Sequence, residues 1–113
     1  NSLEMHFSGR AALILISRDM LARTGVTESE LDGIAAIPRK IEGVEIGITV
    51  KERGEREYKI SIRTGEQIDA CHLCQNFGGG GHARAAGCSI EGSLDEVKAL
   101  ILGAAGRALE ENP

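Results

Sequence analysis

The sequence predicts a single compact domain of α/β (α+β) class, with a mixed β-sheet of about four to five strands flanked by helices. Three observations carry this expectation. Apolar and polar residues alternate at period two in the middle of the chain, apolar residues recur every three or four positions nearer both ends, and the helix-start pattern Thr/Ser-x-x-Glu occurs twice. A chain of 113 residues has an ordinary single-domain length and can bury roughly two-thirds of its unfolded surface, enough for one core. Residues 1–10 do not begin with Met and are expected to be the remnant of an interdomain linker or a cloning scar, which leaves the domain itself as residues 11–113.

Ala11 to Ile16 is a continuous apolar run that reads as a buried strand, and the following "SRDMLART" has helical character with a stop at Gly25. Thr27 and Glu30 have capping-box spacing and open a helix through "SELDGIAA" that is expected to end near Pro38. Val44, Ile46, Ile48 and Val50, then Tyr58, Ile60 and Ile62, alternate with polar or small residues. The pattern predicts an antiparallel hairpin joined by "KERGER", with Arg63 on its polar face. Asp69 is a candidate N-cap for a helix that brings Ala70, Leu73, Cys74 and Phe77 to one face and ends at Gly78. "HARAA" is expected to form a helical turn closed by Gly87, "CSIEG" a short strand, and Ser93 with Glu96 the start of a terminal helix through Leu109.

Composition narrows the function. The net charge of −4 and a pI near 5.4 argue against long duplex nucleic acid as a partner unless Lys and Arg segregate on one face. The aromatic residues are Phe7, Tyr58 and Phe77, which build no stacking platform for a single strand. Cys71, Cys74 and Cys88 are an odd count, which favours a reducing, cytoplasmic setting over a disulfide framework. "AALILI", the longest apolar stretch, is too short to span a bilayer, so no membrane partner is expected.

"FGGGGHARAAGC" raises the functional question, because four consecutive glycines oppose folding unless the backbone conformation itself is needed. Between a helix end and a helical turn, their N–H groups would converge into an anion nest, with Gly80 expected at positive φ. His82 would donate to a phosphate or sugar oxygen, Arg63 and Arg84 would offer planar charged forks, and Ala83, Ala85 and Ala86 would keep the surroundings small. The competing reading is a flexible surface loop, and the run matches neither the Walker nor the GxGxxG spacing.

"FGGGGHARAAG", preceded by "ISIRTGEQIDA" and followed by "IEGSLDEV", resembles the C-terminal, DHH-associated domain of the DHH-family phosphoesterases. It is most similar to the oligoribonuclease and adenosine 3',5'-bisphosphate phosphatase type, often called nano-RNases. The resemblance implies a substrate-binding domain for short oligonucleotides or nucleotide phosphates, paired with an N-terminal DHH domain that carries manganese or magnesium. Gly79, Gly80, Gly81 and His82 match the substrate-holding loop and Arg63 the arginine at the hairpin's end. Thr64 stands where Ser is more usual, and Arg84 falls at a variable position. A homodimer of the full-length protein is compatible with the resemblance.

No catalytic residue and no metal ligand is assigned within this chain, since no Asp-His-His triplet occurs and two-metal hydrolysis needs several carboxylates and histidines. The chain alone is therefore expected to bind without hydrolysing. Two alternatives come from other classes. One is an RNA- or tRNA-binding module like the C-terminal domain of alanyl-tRNA synthetases, against which the acidic balance argues. The other is a structural zinc domain using Cys71, Cys74, His82 and Cys88, which lacks a second CxxC pair.

Overall fold

The structure is a computed structural model and describes residues 3–112. β1 (Leu3–His6) and β2 (Ala11–Ile16) form an antiparallel pair, and α1 (Arg18–Thr24) and α2 (Glu28–Lys40) cross over to β3 (Ile46–Gly54), which runs parallel to β2. β4 (Glu57–Thr64) returns antiparallel to β3, α3 (Ala70–Gln75) follows, and β5 (Gly80–Gly81) and β6 (Ala85–Glu91) precede the long α4 (Leu94–Glu111). The six strands make one mixed sheet in the order β1-β2-β3-β4-β6-β5. Four of these were legible as strands in the sequence; the additional two are β1 and the two-residue β5.

Local signals set most boundaries. Ser17 caps α1 by accepting the Met20 N–H, and Gly25 ends it at φ 65°. Thr27 and Glu30 close a complete capping box on α2, and Ser93 and Glu96 do the same on α4. Asp69 accepts the His72 N–H at the start of α3, and Gly78 (φ 77°) turns the chain out of it. Pro38 does not end α2, which continues to Lys40. In the last turn its ring forfeits only one backbone bond, and it is fully buried, so packing outweighs the loss.

The sheet has two unlike faces. Ile48, Val50, Ile60, Ile62, Ala86, Cys88 and Ile90 form one face of β3, β4 and β6 and pack into a single core with Leu73 and Cys74 of α3 and Val97, Ile101 and Ala105 of α4. On the other face, α2 lies over β3 and also meets β2 and β4. Its last turn sits directly on Gly47, where a Cβ would lie 2.7 Å from the Arg39 backbone nitrogen. Among the described residues, no helix is long and apolar enough to cross a membrane.

The segment "HARAA" forms no helical turn. His82 and Ala85 exchange backbone hydrogen bonds (His82 N–H to Ala85 O, 2.8 Å; Ala85 N–H to His82 O, 3.2 Å) and close a tight β5–β6 hairpin with Ala83 and Arg84 at its tip. Pairing of Ala85, Ala86 and Gly87 with β4 overrides the helix propensity of the alanines. The tip is pinned from two sides, since the Ala83 carbonyl accepts both the Ala70 N–H (2.7 Å) and the Thr64 hydroxyl (3.1 Å).

Candidate functional site

Cross-strand partners direct their side chains to the same face of a sheet. The register Gly47↔Arg63↔Ala85, together with the His82–Ala85 pair, therefore lays Arg63, Ala85 and His82 in one transverse row on the face away from α3 and α4. Two strand spacings separate Arg63 from His82, about 10 Å, with only the methyl group of Ala85 between them. The next row is Thr49, Ser61, Gly87 and Gly80, and beyond it stand Lys51, Lys59 and Ser89. This floor is small, hydroxylic and basic.

The glycines divide into distinct roles. Gly79 packs against β6 so closely that a Cβ would lie 2.2 Å from the Gly87 carbonyl oxygen. Gly81 (φ 145°) would place one 2.8 Å from the Ala86 Cα. Gly78 supplies the left-handed exit from α3. Gly80, expected at positive φ, lies outside the left-handed region, and its Cβ would meet only the Cys71 sulfur at 4.0 Å. Three of the four are required by the fold, and Gly80 keeps an open surface that the fold does not need.

The remaining site candidates fall on both sides of the sheet. His82 and Arg84 are exposed on the hairpin. The Arg63 guanidinium makes a 3.3 Å hydrogen bond to the Ile62 carbonyl, its only hydrogen bond to another described residue, so most of its donors are uncommitted. Thr64 and Ala86 are buried on the core side. There Thr64 anchors the hairpin tip through its hydroxyl and through its N–H, which donates to the Arg84 carbonyl at 3.0 Å. These two shape the site from beneath and do not face it.

Residues that the sequence reading did not single out join the open face. Arg39, in the last turn of α2, extends its guanidinium over Gly65, where a Cβ would lie 2.5 Å from Nη2, and its Nε is buried without a hydrogen-bond partner. Lys59 reaches across to Gly87, whose Cβ would meet its Nζ at 3.1 Å. The alternation of Lys59, Ser61 and Arg63 was visible in sequence; that Gly87 lies opposite Ser61, and Arg39 over Gly47 and Gly65, required the register.

The Cys₃His zinc arrangement does not form. His82 stands exposed on the hairpin while Cys74 and Cys88 face the core, and among the described residues no three His, Cys, Asp or Glu side chains gather as ligands. A hydrogen bond with Cys88 and burial both push the Cys74 thiol well above its ordinary range, so it packs as a neutral core group.

Residues 12–111 match the DHHA1 domain, and the chain belongs to that family. Two curated proteins are similar to it. It is 29% identical over 103 residues to the bifunctional oligoribonuclease and PAP phosphatase NrnA of Thermus thermophilus, covering 90% of this chain and 30% of that protein. It is 27% identical over 88 residues to a probable NrnA of Streptococcus mutans, covering 78% of this chain and 28% of that protein. The chain thus spans about a third of these relatives' length. Among solved structures, an exopolyphosphatase-related protein of Bacteroides fragilis superposes with a TM-score of 0.76 at 24% identity, covering 96% of this chain and 31% of that one. The C-Ala domain of Aquifex aeolicus alanyl-tRNA synthetase superposes with a TM-score of 0.60 at 18% identity, covering 87% and 95%. Both likenesses concern the fold.

Proposed function

We propose that this domain is the substrate-holding part of a DHH-family phosphoesterase acting on short oligonucleotides or nucleotide phosphates, in the cytoplasm. The observation that carries the reading is the row Arg63–Ala85–His82, open to solvent and flanked by a glycine, Gly80, whose missing Cβ serves no packing purpose. A phosphate resting on Ala85 would take donors from the Arg63 fork and the His82 ring at once, and Gly80 would let one of its oxygens approach the backbone. The acidic net charge does not oppose this, because a local group of cations suffices for a small ligand: Arg39, Lys59 and Arg63 share the face that the helices of the core leave open.

Among the described residues no carboxylate and histidine cluster forms, and these residues do not fit a two-metal centre. Hydrolysis is assigned instead to an N-terminal DHH domain of the longer protein, where manganese or magnesium would generate the nucleophile. The role of this chain is to bind and orient the phosphate.

Amide NMR titration at low salt with a 5'-phosphorylated dinucleotide tests the reading. Shifts at Gly80, His82, Ala85 and Arg63 that vanish in His82→Ala are expected. Salt-sensitive binding of tRNA without any response to the dinucleotide would favour an RNA-binding module of the alanyl-tRNA synthetase kind instead.

A further inference from the structure

Between α2 and the sheet lies a second polar pocket of about 100 Å³, roofed by Leu31 and Ala35 and floored by Thr49, Lys51, Lys59 and Ser61. Its floor is one segment of the β3–β4 ladder, with Thr49 opposite Ser61 and Lys51 opposite Lys59. Thr49 is only 3% exposed, and its hydroxyl has no hydrogen-bond partner. A buried hydroxyl without a partner opposes folding, and native structures seldom keep one without a bound water or ion to satisfy it.

We propose that this pocket is a second oxyanion site, which receives one phosphate of an oligonucleotide whose neighbouring phosphate lies on the Arg63–Ala85–His82 row. The chemistry of the lining selects the ligand. Two hydroxyls, of Thr49 and Ser61, can donate, and the Lys59 ammonium supplies positive charge. The volume equals about three liquid waters at roughly 30 Å³ each, which leaves room for a tetrahedral oxyanion. Thr49 and Ser61 lie about 7 Å along the strands from the Arg63 row, on the same face. A ligand occupying both places carries at least two phosphates, as an oligonucleotide does. The identity of the anion rests on the phosphate-holding role proposed for the hairpin; the existence of the pocket does not.

Inorganic phosphate is the first probe, titrated into the labelled protein, His82→Ala, Thr49→Val and Lys59→Met. Amide shifts at Thr49, Lys59 and Ser61 should appear in the parent and in His82→Ala alike, and weaken at least tenfold in Thr49→Val and Lys59→Met. Thr49→Val should also melt at a higher temperature than the parent without phosphate, because the unsatisfied hydroxyl is gone. A 5'-phosphorylated trinucleotide should then shift both the pocket and the hairpin. Silence at Thr49 and Ser61 with phosphate, or an undiminished response in both pocket variants, would overturn the proposal. Shifts in the pocket with a silent hairpin under the trinucleotide would leave the anion site standing and count against the role of the hairpin.

Discussion

The two faces of β3, β4 and β6 are made from alternate residues of the same strands and do opposite things. Ile48, Val50, Ile60, Ile62 and Cys88 on one face are buried under α3 and α4. Thr49, Lys59, Ser61, Arg63, Ala85 and Gly87 on the other form a floor that α2 covers in part, over β3 and the adjoining residues of β4. Period-two geometry keeps these sets apart, so a substitution on one face can alter stability with little effect on ligands, and the reverse. The core face fixes the register, and the register gathers the cations.

Substitutions at neighbouring positions are the sharpest way to break this comparison. Ile62→Ala empties a fully buried site and should cost about 2–5 kcal/mol in urea unfolding. Arg63→Ala, one residue on, should change stability by no more than about 0.5 kcal/mol while abolishing dinucleotide shifts. Equal stability losses at the two positions would show that the faces are not independent.

Within the glycine run the same division predicts opposite behaviour at adjacent residues. Gly79→Ala sets a methyl group 2.2 Å from the Gly87 carbonyl and should cost more than about 2 kcal/mol, with loss of the β5–β6 amide protection in hydrogen exchange. Gly80→Ala meets no atom closer than 4.0 Å; it should fold within about 1 kcal/mol of the parent and yet bind the dinucleotide more weakly. A Gly80→Ala variant with parental affinity would mean that no ligand approaches the backbone there.

His82→Ala should lower dinucleotide affinity on the order of tenfold, about 1.4 kcal/mol, with unchanged thermal unfolding, since the exposed ring makes no hydrogen bond to another described residue. Acid titration gives the smallest effect. Hydrogen bonds from Lys98 and His6 hold the Glu4 carboxyl below its ordinary value of 4.5, and bonds from Ser93 and then Arg56 do so for Glu96. Their stabilisation is complete above pH 4.5 and is lost as pH falls through the depressed values. Glu4→Gln should flatten the decline in melting temperature below that pH.

Much of the fold was legible because its signals are local. The caps Thr27, Asp69 and Ser93, the stop at Gly25 and the alternation of Tyr58, Ile60 and Ile62 are each specified within a few residues. The hairpin after the glycines was not, because the alanines of "HARAA" favour a helix in isolation and adopt a strand only where β4 offers a partner. The site was less legible: Arg63 lies on the polar face that its alternation predicted, Gly80 lacks the positive φ expected of it, and Thr64 and Ala86 turn inward.

By itself the sequence determined the periodicity that separates a core face from a polar face, the ends of most helices, and the family-like motif around His82, because each depends on near neighbours along the chain. Only the tertiary structure decided that Gly79 and Gly81 serve the packing of β6, that Arg39 and Lys59 meet Arg63 on one face, and that the hydroxyl of Thr49 is buried unpartnered beneath α2. Those facts depend on which strands pair and in which register, and that is settled by burying apolar side chains far apart in the chain, with no local signal to announce it.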